Sequence, residues 1–155
     1  MEAYLLNAPS IVKTLANAAG SSLTGTVAET QSAAVTIPAN TLGATGCLRV
    51  TGIMTGTGTA GTKSVRVKFG GTTCYAVANA STVLSHSFSF VIFNKTTATQ
   101  VALAVGAAVG YGASNTTSVT GSIDTTADVT LQFTSQLGNS GDTMVLDRYL
   151  VEVIK

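Results

Sequence analysis

The chain has 155 residues, a formal net charge of +1 and 10% charged residues, against roughly a quarter in an ordinary soluble domain. Its eight basic residues are scattered and it carries one histidine and no CxxC pair, so neither a phosphate-neutralising stripe nor a zinc ligand set is expected. Threonine, serine, alanine and glycine fill the rest, a surface that another protein covers with few ions to desolvate.

Residues 1–20 differ in character from the rest of the chain. Ile11-Val12-Lys13-Thr14-Leu15-Ala16 reads as a short helix or an extended arm. Tyr4, Leu5, Leu6, Ile11, Val12 and Leu15 are too apolar to hang free in water. They are expected to pack on their own domain or along a neighbouring subunit or larger scaffold. Glu2 stands where a signal peptide would be basic, and Asn7, Pro9, Ser10 and Lys13 interrupt the apolar run, so no signal peptide is expected. Val101 to Ala113 is apolar but short and glycine-broken, too little for a transmembrane helix.

From Ser21 the pattern is one of strands. Thr24 to Glu29 and Ala33 to Ile37 read as short strands, and Pro38-Ala39-Asn40 with Gly43 and Gly46 as a loop. Cys47 to Met54 is a strand with Leu48, Val50 and Gly52 on one face. In Lys63 to Phe69, Val65, Val67 and Phe69 point one way and Ser64, Arg66 and Lys68 the other, the period of a half-buried antiparallel strand. Gly70-Gly71 then permits a tight turn into a strand over Thr73 to Val77. Arg66 and Lys68 read as the solvated face of an edge strand. In Val83 to Asn94, Leu84, His86, Phe88, Phe90 and Ile92 face the core, and near the end both faces turn apolar, which predicts burial on both sides. Thr99 to Val105 reads as the next strand. Residues 106–125 read as a long loop with a short strand and one large side chain, Tyr111, a candidate loop contact. Val129 to Phe133 alternates cleanly, and Thr143 to Ile154 is a long final strand suited to the middle of a sheet, with Val145, Asp147, Tyr149, Val151 and Val153 on one face. Eight to ten strands, turn signals between them and no long helix predict an all-β fold, a jelly-roll β-sandwich over 21–155 with a short arm over 1–20.

Chemistry-bearing patterns are sparse. Gly56 to Gly61 spells GxGxxG but precedes a strand, whereas a dinucleotide fingerprint opens a helix; a flexible hairpin tip is expected instead. His86 shares a face with Phe88 and Phe90 and is read as a hydrogen-bonded core or interface histidine. Asp147, acidic on an apolar face, is expected to pair with Arg49 or with Arg148 of a neighbour, and Asp142 to cap a turn. Cys47 and Cys74 are expected to be buried free thiols of a protein made in a reducing cytosol. No catalytic, cofactor or metal site is expected.

Val35-Thr36-Ile37-Pro38-Ala39-Asn40-Thr41-Leu42-Gly43, then Gly46-Cys47-Leu48-Arg49-Val50, then Lys63 to Thr72 resemble a recurrent block in tailed-bacteriophage virion proteins. The resemblance spans about residues 24–77. It implies a jelly roll found as a capsid decoration (cement) protein or at the tip of a tail or head fibre, often as a trimer, with no catalytic motif. A chain that begins at Met1, is this short and lacks a heptad attachment segment fits a free-standing decoration protein. Its expected partners are then the major capsid protein and further copies of itself, on the virion surface, with no nucleic acid and no membrane. Tyr4, Leu5, Leu6, Ile11, Val12 and Leu15 are the candidate contacts of the arm. The competing class is a receptor- or glycan-binding tip, using loops 55–62 and 106–125 with Tyr111; the lack of tryptophan argues against it.

Overall fold

The computed structural model describes residues 11–58, 60–102 and 116–155. These residues form eleven strands and no helix: β1 (Val12–Ala18), β2 (Ser22–Thr24), β3 (Thr30–Ile37), β4 (Cys47–Thr57), β5 (Lys63–Phe69), β6 (Thr72–Asn79), β7 (Ser85–Thr96), β8 (Thr99–Ala102), β9 (Val119–Gly121), β10 (Val129–Leu137) and β11 (Thr143–Ile154). The larger antiparallel sheet runs β1-β11-β4-β7-β8-β9, with β2 also pairing with β11; the smaller runs β3-β10-β5-β6. Eight strands carry the double Greek key, β2-β11-β4-β7 against β3-β10-β5-β6, which is the jelly-roll order. The remaining three widen the larger sheet at its two edges.

The core lies between the sheets because alternate residues of both point inward. Val65, Val67 and Phe69 of β5 and Leu131 and Phe133 of β10 meet Leu48, Val50, Ile92, Leu146 and Val151 of the larger sheet, all essentially sealed from solvent. Each such side chain contributes about 1.5–3 kcal/mol by leaving water. The resembling segment after β3 is a structural crossover between the sheets. The Thr41 amide donates to the Pro38 carbonyl (3.1 Å), Asn40 takes a φ of 58°, and Leu42 drops into the core at 2% exposure before β4 begins. Asparagine tolerates that left-handed turn better than other non-glycine residues.

Three sequence readings change, and one open choice is decided. Residues 12–18 are not a helix but an extended strand whose backbone pairs with β11 of the same chain, one of the alternatives the sequence left open. The stretch Thr24 to Glu29 is a strand only at Thr24; Gly25, at φ 77°, turns the chain out of the ladder. Strand β5 is interior, between β10 and β6, not an edge. Its Arg66 and Lys68 both pair with Glu29, which lies in the loop ahead of β3. In β11 the expected face is broken by a bulge between Leu146 and Arg148. An extra residue in a strand reverses the alternation beyond it. Asp147 and Arg148 therefore both face solvent, while Met144 and Leu146 before them and Tyr149, Val151 and Val153 after them are all buried.

Candidate interaction surface

Registers across the larger sheet align its outward side chains in rows. One row is Val12, Ile154, Cys47, Phe93 and Val101, contributed by β1, β11, β4, β7 and β8. At sheet spacing it spans about 19 Å. The next row holds Thr14, Glu152, Arg49 and Val91; the third Asn17, Leu150, Thr51 and Ser89; the fourth Arg148, Ile53 and Ser87. Val12, Ile53 and Phe93 are each 50% exposed. The expectation that β7 is buried on both sides near its end is met on one side only: Ile92 is sealed, while Phe93 faces outward uncovered by the described residues of its own chain. Alternating Val91 and Phe93 was the sequence signal for this face. Ile53 gave none, since it sits among threonines and glycines.

Charge on this face is confined to a central pair and a margin. Arg49 Nε donates to Glu152 Oε2 at 2.7 Å, with the arginine side chain 43% and the glutamate 12% exposed. That pairing, and the bulge beneath Asp147, overturn the expected Asp147–Arg49 contact within the chain. The glutamate's hydrogen bond and charge raise the Arg49 pKa further above its usual range.

The candidate residues fall into three groups. Ile11 and Val12 lie exposed at the margin of the larger sheet, with the Ile11 amide and carbonyl both bonded to Lys155 at 3.1 Å. Leu15 packs against the core. Tyr4, Leu5, Leu6 and Tyr111 lie outside the described residues. The two thiols are free; Cys74 is in the core, and Cys47 is on the outer row between Ile154 and Phe93. Burial raises both thiol pKa values, which keeps them unreactive.

His86 meets the hydroxyl of Tyr75 at 2.6 Å, and Tyr75, Phe88 and Phe90 pack beside it. Burial lowers the imidazole pKa and pushes the phenol up to about 12. At neutral pH both groups are therefore uncharged, and the phenol hydroxyl and ring Nε2 share one hydrogen bond. Stability is expected to fall on both flanks of neutrality. Below pH 6.5 the unfolded chain protonates His86 while the folded chain resists. Above about pH 10 the unfolded chain loses the Tyr75 proton that the folded chain keeps until about 12. Melting curves across pH 5–11 check this; a Tyr75→Phe variant whose alkaline loss equals that of the parent would contradict it.

At the far end of the sandwich the glycine loop is anchored rather than a free hairpin tip. Lys63, among the largest fully buried side chains of the described residues, reaches from the start of β5 to the carbonyls of Gly58 (2.9 Å), Ser81 (3.2 Å) and Gly61 (3.4 Å) and to Asp142 Oδ2 (3.1 Å). Gly58 adopts φ 80°, and a Cβ there would lie 2.0 Å from Asp142 Oδ1, so glycine is required. Burial works against the charged form of Asp142, but Lys63 and the amides of Gly61 and Ala60 outweigh it and hold its pKa below the usual value. Asp142 thus does more than cap a turn: it closes a clasp joining three loops.

Comparison with protein-family models, with curated proteins and with solved structures gives no match to this chain. Fold and surface together define an all-β jelly-roll module with one weakly charged, partly apolar sheet face.

Proposed function

We propose that this chain is a non-enzymatic structural protein of a phage particle, a capsid decoration protein that binds the lattice as a symmetric homo-oligomer, a trimer by the resemblance, and stiffens it. The observation that supports this most is the outer face of the larger sheet. Ile53 and Phe93 stand half-exposed on a rigid ladder whose other outward side chains are mainly serine, threonine and valine. A neighbouring protein covers such a face with little ion desolvation. A module that binds the assembled lattice and not its separated subunits stabilises the assembly by mass action. Several faces held in one symmetric oligomer gain further through effective concentration. The resemblance over residues 24–77 supports the phage setting.

Quantitative mass spectrometry of purified source particles tests the reading. Copy number near that of the major capsid protein is expected. A handful of copies per particle would move the chain to a fibre or tail tip, and absence from particles would overturn the virion assignment. The face itself is tested by Ile53→Asp with Phe93→Asp. Both sites are solvent-exposed, so the melting temperature is expected to change little, while particle binding weakens at least about 100-fold.

A further inference from the structure

We infer that the side of the sandwich bounded by β6 and β7 is the contact between copies of this chain, with β6 of one copy adding to the open edge of β7 in the next. The inference rests on the homo-oligomer part of the reading above and names its interface. Strand β6 ends the smaller sheet. One bulge interrupts its register with β5, and beyond it residues 75–79 run in step with 67–63. Strand β8 pairs with β7 only over residues 92–96, so residues 85–91 have β4 on one side and no strand among the described residues on the other. The two edges lie over each other: the Tyr75 ring stacks on Phe90 with centroids 5.1 Å apart, and its hydroxyl meets His86 at 2.6 Å. Among the described residues, neither edge makes a main-chain hydrogen bond outward.

The other edges are guarded and these two are not. An open edge invites a further strand, and proteins blunt it with lysine, proline, a bulge or short length. Strand β1 carries Lys13 and a bulge, β9 has three residues, and on β3 the Ser32 carbonyl accepts from the amide and hydroxyl of Ser21. Residues 75–79 and 85–91 contain no Lys, Arg, Asp, Glu or Pro. Between the two edges Val77 and Phe90 remain only partly buried, although both pack against the core. A strand laid along this side completes their burial and pairs the idle amides and carbonyls. The occupant is a second copy because each chain offers both halves of the contact on one side, an uncharged edge from either sheet. Joining them sets no like charges opposite one another. A head-to-tail contact of this kind closes into a ring, and three copies make the ring that the resemblance implies.

Sedimentation equilibrium of the purified chain is expected to show a species of three copies. Ala78→Lys with Ser87→Lys puts a cation on each edge. Both sites are exposed, so the circular dichroism spectrum is expected to stay unchanged while association weakens on the order of 100-fold. Ala78→Cys combined with Ser87→Cys or with Ser89→Cys, once oxidised, is expected to give covalent trimers on a denaturing gel. Within one chain these positions point outward from opposite sheets, about 10 Å apart or more, too far for a disulfide. An oligomer that survives the lysines, or the absence of a bridge in both cysteine pairs, overturns the inference and leaves the homo-oligomer standing. Covalent dimers from Ala78→Cys alone show β6 meeting β6, and overturn the head-to-tail pairing. A monomer at every concentration overturns the inference and the oligomer together, while the decoration reading still answers to copy number in particles.

Discussion

Replacing Lys63 by alanine is expected to lower the melting temperature by roughly 10 °C, the largest effect of any charged residue in the chain. Lysine is almost never fully buried unless paired, yet Lys63 is 1% exposed. Its ammonium is fully satisfied by four acceptors from three loops. Removing it strands the carbonyls of Gly58, Gly61 and Ser81 and leaves Asp142, itself 3% exposed, without its counter-ion. Lys63→Met is expected to recover part of the loss, because it refills the volume without restoring the bonds. The difference between the two variants separates packing from pairing. Acid acts in the same direction: Asp142 has a depressed pKa, so its contribution is complete above its unfolded value of about 3.8 and is lost as pH falls through the folded one. Thermal denaturation followed by circular dichroism measures all three effects. A Lys63→Ala melting point within about 2 °C of wild type would show that the clasp contributes little.

The second large effect concerns Phe88 and Gly52. Phe88 is 4% exposed and packs in the core at a tilt against Tyr75 and Phe133, with ring centroids 5.3 and 6.3 Å away. Truncation to alanine is expected to cost about 3–5 kcal/mol, the range for deleting a buried aromatic ring. Gly52 lies opposite Phe88 in the β4–β7 register, and a Cβ on it would stand 2.3 Å from Phe88 Cζ. The ring occupies the space that a side chain at 52 would need. Gly52→Ala is therefore expected to cost about 1–3 kcal/mol through overpacking, although alanine ordinarily suits a strand better than glycine. Combining Gly52→Ala with Phe88→Leu should cost less than the sum of the single changes, because the shorter side chain yields the space. Chemical denaturation of the four proteins in the cycle measures the coupling. Strict additivity would show that the ring and the missing side chain do not share that volume.

These two sites also show how far the sequence could be read. Alternation in β5 and β7 was enough to put Val65 and Val67 on one face and Phe88 and Ile92 in the core, because period-two patterns report directly on a half-buried strand; Leu84, read on the same face, lies ahead of β7 and is 47% exposed. Lys63 was within reach of the same argument. It shares parity with Val65 and Val67, but a lysine at a strand end reads as solvent-facing until its loop partners, 79 residues away in the case of Asp142, are known. Gly52 was read on the same face as Leu48 and Val50, yet nothing local says that a ring from another strand fills its place. The bulge at Asp147 was invisible for a different reason. A single inserted residue leaves composition and periodicity on either side intact while exchanging the faces. Arg49 was considered as a partner for Asp147, and the true partner, Glu152, emerges only from strand register. The apolar outer face was half legible, through Val91 and Phe93.

The sandwich has unlike sides. The outer surface of the smaller sheet gathers Glu29, Arg66 and Lys68, whereas the larger sheet presents mostly serine, threonine, aliphatic side chains and Phe93 around the Arg49–Glu152 pair, with Asp147 and Arg148 at the bulge. A layer of such molecules lying on its neutral side would turn its ionic side to the medium. The electrophoretic mobility and colloidal behaviour of a coated particle would then follow the pH and salt response of that outward side rather than of the shell beneath it. Lys68 and Thr134 hold the Glu29 carboxyl below its usual range. The coat would thus keep its mixed charge into mild acid, where an unpaired glutamate would already have become neutral.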